Sequence, residues 1–266
     1  MVTVKPLLPP FLVTAEPDRR GFSVGVTADA STAVVEVSVH GRWSDQLGEQ
    51  VTAALRMCLA GPLTSVLVDL HGLSDPDGVS MPFWTAISQD AAPVQVALCL
   101  PAPSTLDTRL RHGAGRPLTY RTMTEARTAM AGVVVGTRRL QARLRPHPLS
   151  VRTARDLVVR ACQAWRLPQT EAARLVVSEL ATNAVEHART DFVVTASTDG
   201  TRLHLAVRDL ATGYPQMGEP ATTGSSAPAP RGRGLQLIHA TTDGWGAMPA
   251  RGGKVVWATV PPPPDH

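Results

Sequence analysis

The stretch SELATNAVEHA, residues 178–188, has the apolar rhythm of a buried helix, yet it carries a carboxylate, an amide and an imidazole at even intervals. Glu179, Asn183 and His187 stand four residues apart, so an α-helix lines them up as one polar stripe. Leu175, Val176, Leu180, Ala184 and Val185 supply the apolar remainder. Asparagine is a poor helix former in mid-span, because its amide competes for the hydrogen bonds of the backbone. A helix that only fills a core gains nothing from it. The spacing therefore predicts a helix over about 170–188 whose polar stripe is put to use.

Around this helix the second half of the chain orders itself. Ser150 is placed to cap a helix that shows Val151, Ala154, Leu157, Val158 and Ala161 at helical spacing, and Pro168 breaks it. FVVTAST (192–198) and TRLHLAVRD (201–209) flank Asp199-Gly200, a strong hairpin signal. From 210 to 234 the sequence is rich in Gly, Pro, Ser, Thr and Ala and too long for a routine loop. A short helix starts near Gly234, and KVVWATV (254–260) reads as a last strand.

In the first half Val35, Val37 and Val39 alternate with polar residues, the pattern of a half-buried strand. Ser44 caps a helix running to about Ala60; VLVDL (66–70) and VQVALCL (94–100) read as buried strands, with helices expected over 79–90, 103–112 and 123–131. Alternating β and α implies a sheet covered by helices. TRRLQARLRPHP (137–148), basic and ending in proline, reads as a linker. The expected division is an N-terminal segment 1–19, a first domain 20–132, a linker 133–149, a second domain 150–260 and a tail 261–266.

Composition narrows the function classes. The chain has 266 residues, 43% hydrophobic and 18% charged, which fits two globular domains. No apolar run approaches the ~20 residues of a membrane span. The opening MVTVKPLLPPFLVTAEP does not read as a secretory signal, so a cytoplasmic location without membrane contact is expected. Cys58, Cys99 and Cys162 are too few and too scattered for a disulfide framework or a zinc site. The net charge is +4, but the arginines are dispersed and not interleaved with aromatics, so no direct nucleic-acid binding is expected. Only Lys5 and Lys254 are lysines, and neither a G-x-x-x-x-G-K-[ST] nor a V-A-I-K segment occurs. That argues against a P-loop NTPase and a eukaryote-like kinase.

Four pieces then follow in order: the polar helix, a strand ending in Asp209, a long loop read as a mobile lid, and GRGLQLI (232–238) opening a helix. Each has a task if the ligand is a nucleotide. An asparagine can hold Mg²⁺ through its amide oxygen and so tie phosphates to the helix. A carboxylate at a strand end can accept the exocyclic amine of adenine. Gly232 and Gly234 let backbone N–H groups approach phosphate oxygens at a helix N-terminus. A lid would exclude water.

That order and spacing resembles the GHKL ATPase family, which includes gyrase and the histidine kinases, and above all its branch of anti-sigma-factor serine kinases. There the polar helix reads much like ELxTNAxxHA, here Glu179 to Ala188, and the closing segment pairs a WG with GGKxVW, here Trp245-Gly246 and Gly252 to Trp257. The resemblance covers roughly 150–260 and implies a Bergerat-type α/β sandwich binding ATP with Mg²⁺. It makes Asn183 the metal ligand, Glu179 the general base and Asp209 the adenine contact. It adds His187, Gly213, Gly232, Arg233, Gly234 and Leu235 as cofactor contacts, although a structural role for His187 stays open. The family's Asp-x-Gly-x-Gly reads Asp209 to Gly213 here, with Ala211 at the first glycine, where a positive φ would be strained.

The first half resembles STAS domains, the anti-sigma-factor antagonists that such kinases phosphorylate. The likeness rests on the β/α order and on Asp69 to Val79, where the family expects Asp-Ser-Ser-Gly. Aligned on Gly78, Asp77 occupies the phosphoacceptor position, unless it merely favours a helix start. The expected fold class is thus α/β with two domains, a STAS-like β/α domain and a GHKL α/β sandwich. Two functions remain open. One is a protein-serine/threonine kinase that phosphorylates a STAS antagonist and so frees a sigma factor; the other is a catalytically weak, ATP-responsive module that sequesters a regulatory partner. Homodimerisation is left open by both.

Overall fold

The computed structural model describes residues 11–12, 23–29, 34–61, 65–92, 94–113, 115–131, 138–215 and 233–263. The α/β expectation holds, and the chain divides into two compact units: Val13–Gly136, and Thr137–His266 joined by the N-terminal strand β1 (Phe11–Leu12).

The first unit is a mixed sheet of β2 (Ser23–Asp29), β3 (Val34–Arg42), β4 (Ser65–Ser74), β5 (Gln95–Cys99) and β6 (Leu118–Tyr120) in the order β6-β5-β4-β3-β2. Strands β3 to β6 run parallel and β2 antiparallel. Its helices are α1 (Asp45–Leu59), α2 (Met81–Asp90), α3 (Thr105–His112) and α4 (Met123–Ala131). One sheet face carries Val34, Leu67, Ala97 and Cys99 against Ala126 and Met130 of α4. Residues of alternate register, such as Val35, Val37 and Val66, are buried as well. Burial on both faces is why β4 and β5 read as unbroken apolar runs. Ser44 caps α1 as expected, its hydroxyl accepting from Leu47 N at 3.3 Å.

Between β4 and α2 the chain turns through Asp75 to Ser80. Asp75 accepts from Val79 N and Ser80 N, both at 2.9 Å, and from the Ser80 hydroxyl. That hydroxyl accepts in turn from Nε1 of the fully buried Trp84 at 3.0 Å. Asp77 is exposed, and α2 starts four residues after it. The carboxylate that holds the helix entry is Asp75.

The second unit is a sheet in the order β10-β11-β9-β8-β7, antiparallel throughout, with β1 parallel to β10. Its strands are β7 (Arg138–Leu144), β8 (Phe192–Thr198), β9 (Leu203–Asp209), β10 (Gly244–Ala250) and β11 (Gly253–Val260). Helices α5 (Pro148–Trp165), α6 (Thr170–Asn183) and α7 (Arg233–Thr241) share one core with it, including Leu157, Val177, Leu180, Val194, Leu205, Ile238 and Trp245. The stretch read as a linker is therefore in large part β7. Leu140, Ala142 and Leu144 alternate with Arg139, Gln141 and Arg143, a period of two that the arginines disguise. Helix α5 also begins earlier than expected: Pro148 takes its first position and His147 caps it, while Ser150 donates to Arg145 O at 2.8 Å from inside the helix. Among the described residues no helix is long and apolar enough to cross a membrane.

Candidate functional site

Helix α6 presents Glu179 and Asn183 one turn apart near its C-terminal end, both half-buried. Beyond Asn183 it widens into a π-helical turn, Ala184–Ala188, and Arg189 N donates to Ala184 O at 3.0 Å, five residues back instead of four. The wider winding breaks the four-residue repeat before His187, which is exposed. The stripe of three expected from spacing is therefore a pair followed by a surface histidine. Single π-turns inside α-helices are frequent at functional sites.

The Asn183 Nδ2 is buried and meets no hydrogen-bond acceptor among the described residues. Leaving such a group unpaired costs about 1–3 kcal/mol, so it marks either strain or a place for a ligand. Gly234, the second residue of α7, lies against Glu179 so closely that a Cβ would strike the carboxylate. A glycine there lets the first turn of α7, whose N–H groups have no helical partners, approach α6 directly. Leu235 is 6% exposed and turns its side chain into the core, so only its N–H can serve a ligand. Arg233 opens α7. Gly232, and residues 216–232 of the loop 210–234 expected to be a lid, lie outside the described residues.

Asp209 closes β9 and is 3% exposed. Its Oδ1 accepts from Lys254 Nζ and from Ala211 N, each at 2.9 Å. Lys254, 7% exposed, stands opposite Asp209 in the β9–β11 ladder, and its Nζ also reaches Ala211 O at 3.4 Å. Leu210 N donates to Thr190 Oγ1 at 3.1 Å, which ties the segment after β9 to the end of the π-turn. Gly253 is required, since a Cβ would run into the Asp209 carbonyl; a Cβ on Gly213 would meet none of the described residues. The strain expected at Ala211 is absent. Among the described residues, non-glycines with positive φ are Arg166 and Arg189, and the Ala211 N–H simply closes a turn on the Asp209 side chain.

Two polar groups lie on the same hairpin. Burial pushes the His204 imidazole below its ordinary value of 6.5, with Asp199 opposing. Burial works against ionisation of Asp199, but the N–H groups of Arg202 and Thr201, at 2.8 and 2.9 Å, hold its carboxyl below the usual range.

Lys254 and Thr190 are site residues that sequence reasoning missed. Lys254 was conspicuous as one of two lysines, but a strand position does not reveal what it faces. Thr190 carried no signal.

Residues 144–260 match the family model described as the histidine kinase-like ATPase domain. Among solved structures, that of the anti-sigma factor antagonist SpoIIAA in its unphosphorylated form is similar to this chain at 16% identity, covering 40% of this chain and 96% of that one with a TM-score of 0.33. No curated protein matches the chain significantly. The matched span contains the polar helix, the buried Asp209–Lys254 pair and the glycine-opened helix.

Proposed function

We propose that this domain binds Mg-ATP and transfers the γ-phosphoryl group to a serine of a STAS antagonist protein, as part of a partner-switching pathway that controls a sigma factor. The observation that carries the nucleotide reading is the orphaned Asn183 amide, one turn from Glu179 within the span that matches the ATPase family.

The residues present fit both groups. Among the described residues no cluster of three or more His, Cys, Asp or Glu could hold a metal. Magnesium does not need one, since it commonly keeps its waters and binds through one or two protein groups together with phosphate oxygens. Asn183 would be its protein ligand, through the amide oxygen. Bound Mg-ATP supplies the phosphoryl group and neutralises charge that develops on it.

The other tasks fall to the chain. Asp209, held from one side by Lys254 and Ala211, accepts the exocyclic amine of adenine. The N–H groups of Gly234 and Leu235 meet phosphate oxygens, where the α7 dipole favours negative charge. Glu179 accepts the proton of the attacking serine hydroxyl. Gly213 and His187 serve as rim contacts, and Gly232 and Arg233 continue the phosphate-binding turn. Asp77 stands at the phosphoacceptor position of the N-terminal unit, so the substrate serine comes from another chain.

The test separates binding from chemistry. Glu179→Gln should keep ATP affinity within a few-fold and lose at least about a hundredfold in phosphoserine formation on a STAS protein captured from the native cytosol. Transfer at the wild-type rate would remove Glu179 from the mechanism, and no transfer by the wild type would leave an ATP-responsive binding module.

A further inference from the structure

We infer that Lys254 is a positioning residue that makes the base pocket selective for adenine, and that this role demands lysine and excludes arginine. The inference rests on the nucleotide reading above.

The chain has 26 lysines and arginines, of which only Lys5 and Lys254 are lysines. In a protein that otherwise uses arginine for almost every cation, one of the two ammonium groups is buried against a buried carboxylate. Stability does not account for that choice. Desolvation consumes most of what a buried ion pair gains, and arginine would make the stronger pair, because its planar fork engages both oxygens of a carboxylate.

Geometry shows what lysine does instead. The ammonium is a compact donor, and its bonds go to Asp209 Oδ1 at 2.9 Å and Ala211 O at 3.4 Å. The Ala211 N–H adds a second donor to the same oxygen. Among the described residues both donors converge on Oδ1, which leaves Oδ2 as an acceptor. The β9–β11 ladder fixes this arrangement, since Lys254 pairs with Asp209 and Gly253 lets the strand lie against the Asp209 carbonyl. An ionised carboxylate only accepts, so Oδ2 suits the exocyclic amine of adenine and repels a base with a carbonyl at that position. A guanidinium at position 254 would take Oδ2 for itself.

The experiment is calorimetric titration of the full-length protein with Mg-ATP and with Mg-ITP, whose base carries that carbonyl. The wild type should bind ATP roughly tenfold or more tightly than ITP. Lys254→Arg keeps the charge, and melting curves check that it folds. It should lose roughly tenfold in ATP affinity while ITP affinity stays within about twofold. The double variant Lys254→Met/Asp209→Asn, which leaves no lone buried charge, should bind the two nucleotides about equally. If Lys254→Arg retains the wild-type ratio, or weakens ATP and ITP by the same factor, lysine has only a structural role and the inference falls. A wild type that binds neither nucleotide overturns the ATP reading itself, and the inference with it.

Discussion

Each unit contains a segment dense in polar side chains, a turn in one and a helix end in the other, and the two treat those side chains in opposite ways. In the N-terminal unit the Asp75–Ser80 turn is closed upon itself. Asp75 takes three donors, and Ser80 donates to Asp75 while accepting from Trp84. In the C-terminal unit the Nδ2 of half-buried Asn183 meets no acceptor among the described residues, and Gly234 keeps side-chain atoms away from Glu179. The described residues satisfy the first arrangement and leave the second with an unanswered donor. Density of polar residues therefore does not mark a site in this protein. Incomplete satisfaction alone does not either, since Ser65 Oγ and Trp245 Nε1 are also buried without a partner among the described residues; Asn183 differs in standing one turn from Glu179 and the close approach of Gly234.

The contrast can be broken at either end. The largest effect is expected from Asp75→Ala, which leaves two N–H groups and a buried hydroxyl without an acceptor. It should destabilise the N-terminal unit by about 3 kcal/mol in denaturant titrations and leave any ATP-induced stabilisation of the other unit unchanged. A loss below about 1 kcal/mol would mean that the turn is not closed in the sense described.

Asn183→Ala probes the open end. Mg-ATP at ~100 times its dissociation constant should stabilise the wild-type domain by about 2.7 kcal/mol, and the variant should lose the magnesium-dependent part. Without nucleotide the same variant should be more stable than wild type by about 1 kcal/mol, because alanine is the better helix former and no buried amide is left unpaired. An apo protein that Asn183→Ala weakens would show that the amide has a structural partner.

The smallest effect belongs to neither turn. His204 is held below 6.5 in the folded unit, chiefly by burial, so the unfolded chain binds the proton more readily. Stability from this group is full above pH 6.5 and declines as pH falls below that value. Asp199, depressed in the fold, adds a loss at still lower pH, as its carboxyl protonates. His204→Gln should flatten the melting-temperature profile on the acid side of neutrality; an unchanged slope would assign it to other groups.

The elements that announced themselves were those with one dominant signal. Ser44 opened α1, and Asp199-Gly200 joined β8 to β9. The central strands of the first unit stood out by continuous burial. Hidden elements had competing signals. β7 looked like a basic linker because arginines alternate with its apolar residues, and β10, GWGAMPA, is mostly Gly, Ala and Pro, which strands usually avoid. Within the site, the pairing of Glu179 with Asn183 was legible because helical spacing is local. The π-turn that detaches His187 was not, nor was the convergence of Lys254 and Ala211 on Asp209. These depend on how a helix end winds and how strands register, which one-dimensional spacing does not contain.

The pairing of β1 with β10 has a consequence for the order in which the molecule is made. Phe11 emerges from the ribosome first, and its partner Gly246 follows about 235 residues later. At ~5–20 residues per second that interval lasts roughly 10–50 s. The whole of Val13–Gly136 is synthesised in the meantime and, having a core of its own, can fold before the sheet of the second unit has its other strands. Closing so long a loop adds little to the free energy, since each doubling of length costs only about 0.6 kcal/mol. Among the described strands, the first to be translated waits longest for its neighbour.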